Sequence, residues 1–280
     1  MVTFSYRIVN VFTQGRAPLS GNPLCVFERA QALDAARMQA LALQFNLSET
    51  SFILPSERAT AAARIFTPRY EMPFAGHPTL GTAHVCRALG LGGDRLTLEL
   101  PAGVIAVRAT GDRWTLQAKT PVWREVSEPR LTLAAMLGLE ERDIGERPLW
   151  VNTGVEQLIV PLASEAAVRR VSVRADLLAQ LRSEAGHSQL YLFAPAGAGL
   201  LARFFFPQGR SVLEDPGTGS ACANLGGWCL ATARTLPCEF DISQGEYTGR
   251  PSALRLRVDE ERNVLVSGDV IELGRGSVTL

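Results

Sequence analysis

The chain has 280 residues, 46% of them hydrophobic, with 28 Lys plus Arg set against 28 Asp plus Glu. That length suits two domains of about 140 residues with a sizeable core. The even charge balance, without a basic run or arginine-aromatic interleaving, excludes any electrostatic footing for nucleic acid, so no such partner is expected. No apolar window reaches 18 residues, and MVTFSYRIVNVF alternates like a strand instead of pairing a charged leader with an apolar core. Neither a membrane span nor a signal peptide is therefore expected. The five cysteines, Cys25, Cys86, Cys222, Cys229 and Cys238, are odd in number and lack metal-type spacing. They read as reduced thiols of a cytoplasmic protein.

In chain order, residues 6–12 predict a strand and Gly21-Asn22-Pro23 a turn into a second strand, residues 24–27. Asp34 caps a helix running to Phe45, since Ala35, Met38, Leu41, Ala42 and Phe45 recur at helical spacing, and Asn46 can end it. The run Leu47-Ser48-Glu49-Thr50-Ser51 then sets a lone carboxylate among small hydroxyls where helix gives way to strand. By pattern alone Glu49 is a solvated turn residue. Strands follow at residues 95–100, 104–107 and 114–118, and a weak boundary falls at Lys119-Thr120-Pro121. Beyond it, residues 132–137 and 175–181 predict helices, and residues 157–160 and 189–193 predict strands. The tail, residues 253–258, 264–267 and 270–273, is strand-rich.

One pattern occurs twice. Arg64-Ile65-Phe66-Thr67-Pro68 is followed by Pro78-Thr79-Leu80-Gly81-Thr82-Ala83, and Arg203-Phe204-Phe205-Phe206-Pro207 by Pro216-Gly217-Thr218-Gly219-Ser220-Ala221, an offset of 138 or 139 residues. The chain reads as an internal duplication. Proline suits the first turn of a helix and Asp the position before it. Pro78 and Pro216 are thus expected to open helices that start at His77 and Asp215. Residues 221–230 are apolar or small on nearly every face, so the second helix should be buried. Each helix start would offer unpaired N–H groups and a partial positive charge, about 0.3–2 kcal/mol for a carboxylate. A plain strand-helix repeat with structural glycines and prolines is the alternative. The halves lack a low-complexity linker, so they should pack with a cleft between them, a favoured place for ligands.

Four motifs together resemble the phenazine-biosynthesis PhzF-like family in order and spacing across essentially the whole chain. They are Asn46-Leu47-Ser48-Glu49-Thr50; Phe66-Thr67-Pro68 with Glu71-Met72-Pro73-Phe74-Ala75-Gly76-His77-Pro78; Glu214-Asp215-Pro216-Gly217-Thr218-Gly219-Ser220-Ala221; and Gln244-Gly245 with Gly249-Arg250-Pro251-Ser252. The resemblance implies an α/β (α+β type) protein of the diaminopimelate epimerase-like fold: two pseudo-symmetric halves, each a curled, mostly antiparallel sheet around a central buried helix. The implied halves are residues 1–120, joined by the last strands at about 268–280, and residues 121–267.

The resemblance also implies a cofactor-independent, metal-free isomerase, forming homodimers, that moves a proton on a small carboxylated metabolite. Glu49 takes the acid/base role, with His77 and Asp215 beside it as catalytic partners. Ser48, Gly76, Gly217, Thr218, Gly219 and Ser220 match substrate contacts. A carboxylate near pKa 4.3 is a poor base for a carbon acid, but burial can raise it to about 6–7. Donors aimed at the developing charge complete such a site. Each partner also has a plainer reading, His77 as a helix-opening residue only, Asp215 as a cap only, and Ser220 as a hydroxyl bonded to backbone. The racemases of this fold place one thiol at each helix start. Neither Ala75-Gly76-His77-Pro78 nor Glu214-Asp215-Pro216-Gly217 carries one, which disfavours a two-thiol racemase. Two alternatives to the isomerase stand beside it: a non-catalytic binding or scaffold homologue, and a lyase or hydrolase using the same Glu49 as general base.

Overall fold

A computed structural model describes all residues 1–280. The chain divides into two compact units, residues 1–117 with 267–280, and residues 118–266. The first contains β1 (Thr3–Val11), β2 (Asn22–Phe27), α1 (Ala35–Phe45), β3 (Glu49–Leu54), β4 (Ala61–Phe66), β5 (Glu71–Met72), α2 (Gly76–Ala88), β6 (Arg95–Leu100), β7 (Gly103–Thr110) and β8 (Arg113–Gln117). The second contains β9 (Val122–Glu125), α3 (Arg130–Leu137), β10 (Leu149–Asn152), β11 (Glu156–Pro161), α4 (Glu165–Arg170), α5 (Ala175–Leu178), β12 (Leu190–Ala196), β13 (Gly199–Gln208), β14 (Ser211–Asp215), α6 (Gly219–Ala231), β15 (Cys238–Gln244) and β16 (Ser252–Val258). The last strand, β17 (Val264–Thr279), begins in the second unit and passes at Ser267 into the first.

The same pairing order runs through both units. In the first, β1 is antiparallel to β2, β2 parallel to β3, β3 antiparallel to β4, and β4 antiparallel to β5 and parallel to β6, with β7 antiparallel to β6. In the second, β10, β11, β12, β13, β14, β15 and β16 repeat each of those steps in turn. Parallel neighbours need a crossover, and helices supply it. The first unit uses α1 for one crossover and α2 for the other; the second uses α4 with α5, then α6. β17 covers β1 in an antiparallel ladder from Thr3↔Thr279 to Val11↔Val270, broken by a bulge at Ile8/Val9.

A repeated ion pair anchors the hairpin that leads into each buried helix. Arg64 on β4 grips Glu71 on β5 through two hydrogen bonds, and Arg203 on β13 grips Glu214 on β14 likewise. Each guanidinium also lies over a phenylalanine two residues on, Phe66 and Phe205 respectively. A two-point guanidinium-carboxylate contact fixes orientation as well as charge, so it holds the hairpin's exit angle. Arg203 also donates to the carbonyls of Val168 and Val171 at the end of α4.

α2 packs against β1, β2, β3, β4, β6 and β8, and α6 against β9, β10, β11 and β16. Surrounded in this way, α6 is buried at every residue from Ala221 to Leu230, as its composition predicts. Such enclosure demands small residues. A methyl placed on Gly226 would come within 2.5 Å of a Val264 methyl and 3.1 Å of Leu256. Asp34 caps α1 by accepting from the Arg37 amide, and Asn46 ends it in the left-handed conformation, as expected.

The helix starts differ from the sequence expectation. α2 begins at Gly76, so Pro78 lies inside its first turn, and α6 begins at Gly219, three residues beyond Pro216. Asp215 is the last residue of β14, paired with Phe204, and the N-cap position of α6 falls on Thr218 instead. The physical reason lies in Gln244, whose Oε1 accepts from the Thr218 amide and whose Nε2 donates to the Asp215 carbonyl, holding that stretch extended. Helix 175–181 closes after Leu178, because Gln180 and Leu181 donate to carbonyls three residues back instead of four. Strands β5, β9, β10, β14 and β15 and helix α4 had no expectation, and the two tail runs from residue 264 onward fuse into β17.

Gly226→Ala should overpack α6 and lower stability by about 1–3 kcal/mol. Urea unfolding monitored by tryptophan fluorescence checks this; an unchanged midpoint would show that α6 has room the packing denies.

Candidate active site

In the first unit, the loop after α1 delivers Ser48, half-buried, and then Glu49 as the first residue of β3, where it pairs in parallel with Leu24. His77 is the second residue of α2, one turn from the hairpin that the Arg64–Glu71 pair anchors. The two side chains meet: His77 Nε2 lies 3.3 Å from Glu49 Oε2, and their side chains are 6% and 16% exposed. The approach is close without the alignment of a hydrogen bond.

Burial pushes His77 down from 6.5 to about 3, against a smaller upward pull from the Pro23 carbonyl to which its ring is hydrogen-bonded. Nε2 makes no hydrogen bond, so the bond to Pro23 runs from Nδ1–H. His77 is therefore a neutral imidazole with Nδ1 protonated and the Nε2 lone pair facing Glu49. The contact is not an ion pair at neutral pH. Tyr70, half-exposed, feels the same carboxylate: partial burial and then Glu49 raise its phenol. Nothing in the sequence marked Tyr70 as a neighbour of the site.

In the second unit, Asp215 ends β14, Gly217 and Thr218 bridge to α6, and Gly219 and Ser220 open that helix. The hydrogen placement there follows from Gln244. Its Oε1 faces an amide N–H and its Nε2 a carbonyl, so its amide has one possible orientation. Nε2 also donates to Thr218 Oγ1, which leaves the Thr218 hydroxyl hydrogen for Asp215 Oδ2. Thr218 thus orients the carboxylate. Gly245, at φ +83°, closes over this bridge, and a methyl there would meet the Pro216 and Arg250 carbonyls at 2.4 Å. Ser220 belongs to a separate cluster, accepting a hydrogen bond from Gln157 Nε2 at 3.1 Å.

The shared pairing order sets residues of the two units in correspondence. Arg64 faces Phe52 and Arg203 faces Leu192, so Glu49, three residues before Phe52, corresponds to Gln189. His77 and Ser220, each second in its helix, correspond likewise. The first unit therefore holds a carboxyl beside an imidazole where the second holds an amide, Gln189, and a hydroxyl, linked through Gln157. An amide cannot exchange a proton as a base does, so of these two positions only Glu49 can.

No three His, Cys, Asp or Glu side chains converge as a metal ion would require. His84 accepts a hydrogen bond from the Trp114 indole, and His187 is exposed. Neither helix start carries a thiol. Cys222 sits in the first turn of α6, fully buried, and burial pushes its thiol far up, the opposite of activation.

The phenazine biosynthesis-like protein family matches residues 9–276, nearly the whole of the chain that builds these two units. A trans-2,3-dihydro-3-hydroxyanthranilate isomerase of Pseudomonas chlororaphis is 36% identical over 98% of this chain and 99% of its own length. An uncharacterized isomerase of Pasteurella multocida is 38% identical over 99% of this chain and 95% of its own. The crystal structure of a Bacillus anthracis phenazine biosynthesis protein of the PhzF family superposes with a TM-score of 0.87 over the whole of both chains, at 24% identity.

A neutral His77 links pH to stability with a definite sign. The unfolded chain protonates this histidine near 6.5 while the folded chain resists until about 3. Its contribution is complete above 6.5 and is lost as pH falls through that window. Nitrogen-15 spectra of the three histidines should show His77 neutral, with Nδ1 protonated, from pH 5 to 8; a midpoint near 6.5 would contradict the assignment.

Proposed function

We propose, for a chain that belongs to the phenazine biosynthesis-like family and is an isomerase of the PhzF type, that Glu49 carries the proton in a cofactor-free isomerisation of a small carboxylate. The fold is of the diaminopimelate epimerase-like kind, whose two units share one pairing order; this supports an origin by internal duplication. The observation that carries the reading is the Glu49–His77 contact at 3.3 Å. A carboxyl group at the start of a strand, shielded from water and facing a neutral imidazole, can take a proton from carbon and return it without a metal.

In the step proposed, the Glu49 carboxylate removes a proton from an activated C–H bond, and the electron pair shifts into the adjoining unsaturated system. The carboxylic acid exchanges its hydrogen with solvent and delivers one at another carbon, so one hydrogen leaves and one returns, and substrate and product have identical composition. His77, held neutral by burial, lines the site beside Glu49 with its unprotonated Nε2 and does not add a competing acid. Asp215, oriented by Thr218, is the second catalytic group we assign. Gly76, Gly217, Gly219 and Ser220 are proposed to donate to the substrate's charge, backbone amides being effective where no reorganisation is needed, and Thr218, whose own hydrogens go to Gln244 and Asp215, is assigned to the same set through the Asp215 carboxylate it holds. Ser48 is assigned to the same set on its place beside Glu49 alone. The substrate class is a small carboxylate. The compound in the name of the Pseudomonas chlororaphis relative, trans-2,3-dihydro-3-hydroxyanthranilate, is the first to try.

Turnover of that compound in D2O should place deuterium on carbon in the product. Glu49→Gln keeps the shape and removes the base, so exchange should fall about 100- to 10,000-fold with melting temperature unchanged. His77→Ala should weaken binding and turnover together. A Glu49→Gln protein that exchanges at the parent rate would place the proton elsewhere, with Asp215 the first group to replace.

A further inference from the structure

We infer that Asn224 and Gln157 are positioning residues that fix Ser220 as a hydrogen-bond donor toward the ligand, an inference resting on the assignment of Ser220 to substrate binding. Backbone groups set the direction of the whole chain of hydrogen bonds, because their own donor or acceptor sense cannot change. Asn224, on the enclosed face of α6 and wholly buried, receives the Thr153 amide N–H at 2.8 Å and the Thr153 hydroxyl at 2.7 Å on Oδ1. Its Nδ2 lies 2.9 Å from the Val155 carbonyl. A backbone N–H can only donate and a carbonyl can only accept, so the Asn224 amide has one orientation.

The consequence propagates. The second Nδ2 hydrogen of Asn224 goes to Gln157 Oε1 at 2.8 Å, which commits that oxygen as an acceptor. Gln157, 1% exposed, must then present Nε2 at its other corner, and both Nε2 hydrogens are used, one on Gln189 Oε1 and one on Ser220 Oγ, each at 3.1 Å. Ser220 Oγ is therefore an acceptor within the fold. It makes no other hydrogen bond, and the residue is half-buried, so its own hydrogen is left to point outward. The chain Thr153–Asn224–Gln157–Ser220 converts a backbone amide into a fixed hydroxyl donor. With one lone pair of Ser220 Oγ committed to Gln157 and its hydrogen unclaimed, a ligand acceptor such as a carboxylate oxygen placed opposite Ser220 receives that hydrogen.

Neutron diffraction from crystals of the full chain exchanged into D2O reads the deuterons directly. The inference expects deuterium on Gln157 Nε2 aimed at Ser220, with the Ser220 deuteron turned away; a Ser220 deuteron aimed at Gln157 overturns it whatever the ligand proves to be. Binding supplies the functional arm, with anthranilate as probe. Gln157→Glu, whose second oxygen would accept from Ser220, should lose about tenfold in affinity, as should Ser220→Ala. The double variant should bind no more weakly than Ser220→Ala alone. Additive losses would show that Gln157 acts only by supporting the fold, and would overturn the positioning role. If the buried carboxylate of Gln157→Glu prevents folding, Gln157→Met takes its place in the same cycle. Failure of anthranilate to bind the parent chain counts against the substrate class proposed above, and the neutron map then decides this inference by itself.

Discussion

Enclosing a helix within a sheet removes the water that would otherwise satisfy its polar groups, and most of the site's chemistry follows from that constraint. α2 and α6 are each packed against strands on several sides, so their residues are small or apolar, and any polar side chain among them needs a partner within the protein. Asn224 meets the demand through four hydrogen bonds, and Thr82 through Ser51. His77 meets it differently, by giving up its charge. The same enclosure that makes α2 a rigid platform thus sets the protonation state of the imidazole at its start.

Two nearly equivalent units have put unequal chemistry on one scaffold. Arg64–Glu71 and Arg203–Glu214 show how closely the frameworks agree, down to the phenylalanine under each guanidinium. The corresponding Glu49 and Gln189 differ by one atom type, oxygen for nitrogen, yet that exchange separates a group able to take up and release a proton from one that only fixes hydrogen bonds. In the second unit the amides of Gln157, Gln189, Asn224 and Gln244 predominate around the start of α6. Amides hold a single arrangement regardless of pH, which suits recognition. A carboxyl beside a neutral imidazole suits transfer.

Much of this could be read from the amino acids. The repeat of R-x-F with a later P-x-x-G identified both anchoring arginines and both buried helices, because enclosure restricts composition strongly enough to show in one sequence. The four motifs pointed to the family and singled out Glu49, His77, Asp215 and Ser220. Helix starts were misplaced, since Pro216 looks like a helix opener and only the side chain of Gln244, 28 residues away, holds that stretch extended. Gln157, Gln189 and Asn224 carried no signal, for their meaning lies in the order of donors and acceptors after folding. β9 and β10 went unseen because four-residue strands offer too little alternation to detect.

The central claim is that Glu49 moves the proton while His77 remains neutral and only assists. The pH profile of solvent-deuterium exchange, compared between the parent chain and His77→Asn, tests it most directly. If the claim is right, the substitution lowers the rate at every pH but leaves the shape of the profile above pH 5 unchanged, because a group that titrates near 3 contributes no inflection there. Loss of an inflection between pH 6 and 7 in His77→Asn would contradict it, showing that the imidazole itself carries the proton and that Glu49 does not.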